Sequence, residues 1–114
     1  MKIFTLKNCD TCKKAIKWLE ANDIAFDNHD VRSDGLDKAT VTPLVEALGW
    51  EKALNRRSTT WRGLSDADKN DIDNAKAASL IVDNPTLMKR PVFVREDGDV
   101  QAGFDNNVQE WLRG

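Results

Sequence analysis

Two cysteines three residues apart, Cys9 and Cys12, stand in the segment Lys7-Asn8-Cys9-Asp10-Thr11-Cys12-Lys13-Lys14. Cysteine does its chemistry as the thiolate, which attacks electrophilic sulfur and binds soft metals. At this spacing, in the first turn of a helix, the Cα atoms lie close enough for a disulfide with little strain. The free backbone N–H groups and the dipole of such a helix favour negative charge on the first sulfur. Lys7, Lys13 and Lys14 add positive charge to the adjoining chain. Two other uses of the pair are core packing and zinc binding. A closed zinc site needs four ligands, and here there is no second cysteine pair and His29 is the only histidine. Sulfur chemistry with Cys9 attacking and Cys12 within reach is therefore the leading reading, with no metal. His29, in or beside a strand, reads as a satisfied polar residue rather than a catalytic base.

The surrounding pattern supplies the elements that must position this pair. Lys2-Ile3-Phe4-Thr5-Leu6 is apolar and β-favouring and reads as a buried strand. Cys12, Ala15, Ile16 and Leu19 follow at i, i+3, i+4 and i+7, one apolar helical face, with a stop at Asn22-Asp23. Ile24 to Val31 reads as a second strand, which completes a βαβ unit with parallel strands. From Asp34-Gly35 the pattern turns helical. Val41, Leu44, Val45 and Leu48 mark one face, Gly49 ends it, and Pro43 blurs its start. Asn55 to Gly63 follows neither period and reads as a loop carrying Arg56, Arg57 and Arg62. Ser65-Asp66-Ala67-Asp68 resembles a capping signal, and the helical stretch that it opens breaks near Asp73-Asn74 and closes before Asn84-Pro85. Pro91 to Val94 and Val100 to Ala102 read as a hairpin across Glu96-Asp97-Gly98-Asp99, and Val108, Trp111 and Leu112 mark a final helix. Trp18, Trp50, Trp61 and Trp111 are expected to pack the helical segment rather than bind a ligand, Trp61 standing nearest in sequence to Arg57.

Composition bounds the class. With 114 residues, 40% hydrophobic and 32% charged, the chain is long enough to bury a core as one domain spanning 1–114. A formal net charge of −2 with interleaved signs offers no field for nucleic acid or an anionic membrane surface. The apolar run before Lys7 is too short for a secretion signal, and no later segment is apolar enough to span a bilayer. A cytoplasmic location follows as the expectation. In that reducing compartment a cysteine pair serves catalysis or metal binding more often than permanent cross-linking.

Three ordered motifs resemble one family over essentially the whole chain. Lys7 to Ala15, with Trp18-Leu19-Glu20, is similar to the active-site segment of arsenate-reductase-like and Spx-type proteins. Leu54 to Arg62 resembles their central arginine segment, and Leu87-Met88-Lys89-Arg90-Pro91-Val92 resembles their Arg-Pro segment. Together with Leu48-Gly49-Trp50 they resemble a short bacterial subgroup proposed to be glutathione-dependent thiol reductases. The resemblance implies an α/β, thioredoxin-like fold with a small four-stranded mixed sheet and a helical insertion over about 35–86. It implies a thiol-dependent reductase with Cys9 as the nucleophile and Cys12 as a second, resolving thiol. Arg57 and Arg90 would bind an oxyanion or a glutathione carboxylate, with Asn8, Thr11 and Pro91 in support. Pro91 also resembles the proline that thioredoxin-like folds hold in the cis form. No bound cofactor is implied. Glutathione would be the co-substrate, glutaredoxin or thioredoxin a possible protein partner, and the state monomeric. Gly103 stands where the arsenate reductases place a third arginine, which argues against arsenate as the substrate. The alternative from the same resemblance is an Spx-like regulator that binds RNA polymerase and uses the cysteines as a redox switch.

Overall fold

The computed structural model describes residues 1–114. Its first elements are strand β1 (Lys2–Thr5), helix α1 (Asp10–Ala21) and strand β2 (Asp27–Asp30). The next part of the chain is helical: α2 (Lys38–Leu48), α3 (Trp50–Ala53), α4 (Thr59–Arg62), α5 (Asp66–Lys69), α6 (Asn74–Asp83) and a 3-10 turn, Pro85–Leu87. Strands β3 (Val92–Val94) and β4 (Val100–Ala102) and helix α7 (Asn106–Arg113) complete it. No helix is long and apolar enough to cross a membrane.

The four strands form one mixed sheet in the order β2-β1-β3-β4. β1 pairs with β2 in parallel, as a βαβ unit requires, while the β1–β3 and β3–β4 pairs are antiparallel. This is the thioredoxin-like arrangement expected above. The buried side chains form two clusters. The larger joins Phe4, Val31 and Val92 to Val41, Val45, Ile81 and Leu87 of the helical segment. The smaller joins Ile3 and Phe93 to Ala15 and Leu19 of α1 and to Val108 and Leu112 of α7. Ile3 and Phe4, adjacent in β1, therefore serve opposite clusters, the period-2 alternation of a strand.

Four local expectations are corrected. The second strand covers only Asp27–Asp30, not Ile24 to Val31, because Ile24 and Phe26 pack against the α1 and α7 cluster before the sheet begins. Helix α2 starts at Lys38 rather than near Gly35, since the Asp37 side chain caps it by accepting the Thr40 N–H at 2.8 Å. The segment read as a loop contains one helical turn, α4, whose Ser58 hydroxyl accepts the Trp61 N–H at 3.1 Å. Only Trp50 and Trp61 pack the helical segment, whereas Trp18 and Trp111 pack the smaller cluster.

Candidate active site

β1 ends in a tight turn, with the Cys9 N–H bonded to the Leu6 carbonyl at 3.0 Å, and the chain enters α1 with Cys9 at its N-cap. Cys9 has extended backbone angles, and no side chain caps this helix end. The free N–H groups of the first turn are left to the Cys9 sulfur itself. Asp30, at the end of β2, holds the approach to the turn: its carboxylate accepts the Lys7 N–H at 2.9 Å and the Arg32 and Ser33 N–H groups at 2.9 Å each.

Both cysteines are reduced, Cys9 partly exposed and Cys12 buried. Partial burial opposes ionisation of Cys9, but four influences outweigh it and hold its thiol below the ordinary cysteine value. They are the Cys12 backbone N–H, the Cys12 thiol, the positive charge of Arg90 and the Thr11 backbone N–H. Burial pushes Cys12 the other way, up to about 12. The Cys9 sulfur adds to that rise, while the Leu6 backbone and Arg90 oppose it. Two like side chains are thus pushed in opposite directions, Cys9 toward the thiolate and Cys12 toward the protonated thiol.

Arg90 reaches this place through a network that begins in the helical segment. Leu54 and Met88 form an isolated antiparallel bridge, flanked by Asn55 N–H to Leu87 carbonyl and Lys89 N–H to Ala53 carbonyl, each 2.8 Å. Thr60 and Thr86 share a hydroxyl hydrogen bond of 2.8 Å. Arg90 Nη1 donates to the Thr86 carbonyl at 2.7 Å and the Met88 carbonyl at 2.9 Å. Both protons of that nitrogen are thereby engaged, while the buried Nε has no partner. The opposite edge of the guanidinium, Nε with Nη2, retains the forked geometry that suits a carboxylate or an oxyanion. The Arg90–Pro91 bond is cis.

The bridged strands border a cavity of about 490 Å3 that is lined by Lys52, Arg56, Arg57, Lys89 and Arg90 against one carboxylate, Glu51. Arg57 and Arg90 are therefore brought to one cavity. Cys9 does not line it, and Arg90 is the residue that belongs to both the cavity and the sulfur site. Asn8 and Thr11 are exposed at the entrance to α1, and Thr11 acts through its backbone N–H. Pro91 is buried, and its carbonyl accepts the Gly103 N–H at 2.8 Å. His29 is a packing residue, its ring 5.0 Å from that of Phe4 and its Nε2 2.7 Å from the Gly35 carbonyl. Trp61 packs on the larger cluster, with the Lys69 ammonium 5.6 Å from its ring. Sequence reasoning missed Lys89 and Asp30. Lys89 was visible in Lys89-Arg90-Pro91, but Asp30 gave no signal, because its role depends on β2 lying beside β1.

Comparison with known proteins accords with this arrangement. The model of the ArsC family matches residues 4–111. An uncharacterized protein of Haemophilus influenzae is 45% identical over 103 residues, covering 90% of each chain. The Spx global transcriptional regulator of Streptococcus agalactiae is 26% identical over 107 residues, covering 92% of this chain and 77% of that one. Among solved structures, a YFFB protein superposes with a TM-score of 0.90 at 34% identity, covering 99% of this chain and 98% of the other. An arsenate reductase (ArsC) related protein from Brucella melitensis superposes with a TM-score of 0.76 at 38% identity, covering 96% and 91%. With its cysteine at the head of α1, an arginine beside it and a family match over nearly its whole length, the chain belongs to the ArsC family as an arsenate-reductase-like thiol protein.

Proposed function

We propose that the chain is a cytoplasmic thiol-dependent reductase that acts on mixed disulfides of glutathione. The observation that carries this reading is the unequal cysteine pair: Cys9 held below the ordinary thiol range and Cys12 pushed up to about 12. The Cys9 thiolate attacks the glutathione sulfur of a mixed disulfide, forming a Cys9–glutathione disulfide and expelling the substrate thiolate, which takes a proton. A second glutathione thiolate then attacks the glutathione sulfur of that adduct. Oxidised glutathione leaves and Cys9 returns as thiolate, so each turnover consumes one reduced glutathione, whose sulfur takes the place of the substrate sulfur in the disulfide. Arg90 and Arg57 hold the carboxylates of the tripeptide, and Asn8, Thr11 and Pro91 shape the entrance.

Cys12 is a slower, alternative resolving thiol. Its burial keeps it protonated at neutral pH, although loss of the Cys9 charge in the adduct removes one cause of that protonation. When it does attack the Cys9 sulfur of the adduct, a Cys9–Cys12 disulfide forms as the Cys9–glutathione bond breaks, and glutathione leaves as a thiolate that takes a proton. A dithiol protein such as glutaredoxin or thioredoxin reduces the internal disulfide. The test is turnover of a small glutathione mixed disulfide. Wild type should turn over, Cys9→Ser should be inactive at every glutathione concentration, and an active Cys9→Ser variant would refute the scheme. A second reading, a redox-switched regulator, is favoured by the similarity to Spx over 92% of the chain. An oxidation-dependent complex with the RNA polymerase α subunit, in a protein that lacks turnover, would establish it instead.

A further inference from the structure

Gly103 lies just beyond β4, and its N–H is bonded to the Pro91 carbonyl at 2.8 Å. Its φ of +87° is a conformation that residues with a Cβ rarely adopt. Space above it is taken by another side chain: a Cβ at this position would stand 3.5 Å from Lys89 Cε and 3.9 Å from Lys89 Nζ. The Lys89 ammonium is thus laid across the bare backbone beside Pro91. Its own N–H is fixed to the Ala53 carbonyl at 2.8 Å, and it lines the same cavity as Arg57 and Arg90. Five cations from two segments line that cavity, Lys52, Arg56 and Arg57 from one and Lys89 and Arg90 from the other, and the Nε of Arg90 still lacks an acceptor. A large side chain at 103 would occupy the path that the lysine takes.

We propose that Lys89, lying over the bare backbone of Gly103, is one of the cations that bind an anion in this cavity together with Arg57 and Arg90. Arg90 is also the arginine that acts on Cys9. The inference rests on the reading of that site given above. Lys89 acts as a compact point charge toward an anion whose orientation the arginine forks set. Its role is binding, not the sulfur chemistry, so it should show in anion affinity and leave the intrinsic reactivity of Cys9 alone.

The probe is inorganic sulfate, read as protection of Cys9 from the neutral reagent iodoacetamide. Chloride at matched ionic strength controls for screening. Rates are taken at a pH where Cys9 is fully ionised. The Lys89→Met variant keeps an unbranched stem over Gly103 but loses the charge, and it should need about tenfold more sulfate for half-protection. Lys89→Arg should restore protection to near the wild-type concentration, a rescue that a merely structural stem would not require. Equal protection of wild type and Lys89→Met would overturn the assignment and leave the Arg57–Arg90 site standing. Failure of sulfate to protect even the wild type would remove the anion site, and Lys89's role with it.

Discussion

Cys9 and Cys12 carry the same thiol one helical turn apart and differ only in what surrounds them. Cys9 is the N-cap, where the N–H groups of Thr11 and Cys12 and the charge of Arg90 outweigh partial burial; Cys12 is only 1% exposed. Iodoacetamide at neutral pH should therefore label Cys9 far faster than Cys12, and preferential labelling of Cys12 would reverse the roles. A depressed thiol value means that the nucleophile is present above that value and lost as pH falls through it. The midpoint of the Cys9 alkylation profile should lie below that of a free cysteine, and Arg90→Gln should move it upward by removing a cation. An unmoved midpoint would show that the helix terminus acts alone. Cys12→Ser should accumulate the Cys9–glutathione adduct when glutathione is scarce and recover when it is abundant, as mass spectrometry of the steady state would record. The placement of the cysteines was legible in the sequence, since Cys-x-x-Cys followed a strand and opened a helix. The role of Asp30 was not, because although Arg32 and Ser33 are its neighbours in sequence, Lys7, the partner that ties it to the Cys9 turn, is 23 residues away and is reached only through the fold.

Elements set the precision with which these residues meet. The face of α1 was legible because Cys12, Ala15 and Leu19 recur at helical spacing, and all three are buried. β2 was misread because an edge strand with exposed and half-buried positions can be wholly polar, as Asp27-Asn28-His29-Asp30 is, while the apolar Ile24 and Phe26 belong to packing outside the sheet. α4 was missed because one turn is too short to show a period, although Ser58 supplied the capping signal. Ser58→Ala should cost about 1 kcal/mol, seen as a fall in melting temperature of about 4 °C or more. The Cys9 midpoint should shift little, as that turn reaches the sulfur only indirectly, through Thr60, Thr86 and Arg90. Asp30 lies below the ordinary carboxylate value, chiefly through the Ser33 N–H, which together with the N–H groups of Arg32 and Lys7 outweighs the opposing effect of burial. A value depressed in the folded state adds stability that is present above the unfolded value of about 3.9 and is lost as pH falls through the folded one. Asp30→Asn should accordingly flatten the acid limb of a stability-versus-pH curve below about pH 4. An identical limb in the variant would show that Asp30 does not tie β2 to the Cys9 turn.

Across the whole molecule, the helical segment has two tasks, to cover one face of the sheet and to carry cations to the end of it. Leu87 shows how they are joined: its side chain is fully buried in the larger cluster, and its carbonyl accepts the Asn55 N–H beside the cationic cavity. Leu87→Ala should cost about 2–5 kcal/mol in urea denaturation, a large share of the roughly 5–15 kcal/mol of a native domain. The helical cover was legible in part from the apolar spacing of Val41, Leu44, Val45 and Leu48, but the mixed sheet only through the family resemblance, since periodicity left the order of β3 and β4 relative to β1 open. Whether Cys9 is the attacking thiolate of a glutathione-linked reductase is decided by intact-protein and peptide mass spectrometry after brief exposure to oxidised glutathione. A single glutathione should be found on Cys9, trapped in full in Cys12→Ser and released by reduced glutathione. A glutathione found on Cys12, or a wild-type protein and a Cys12→Ser variant that both remain unmodified, would contradict that role.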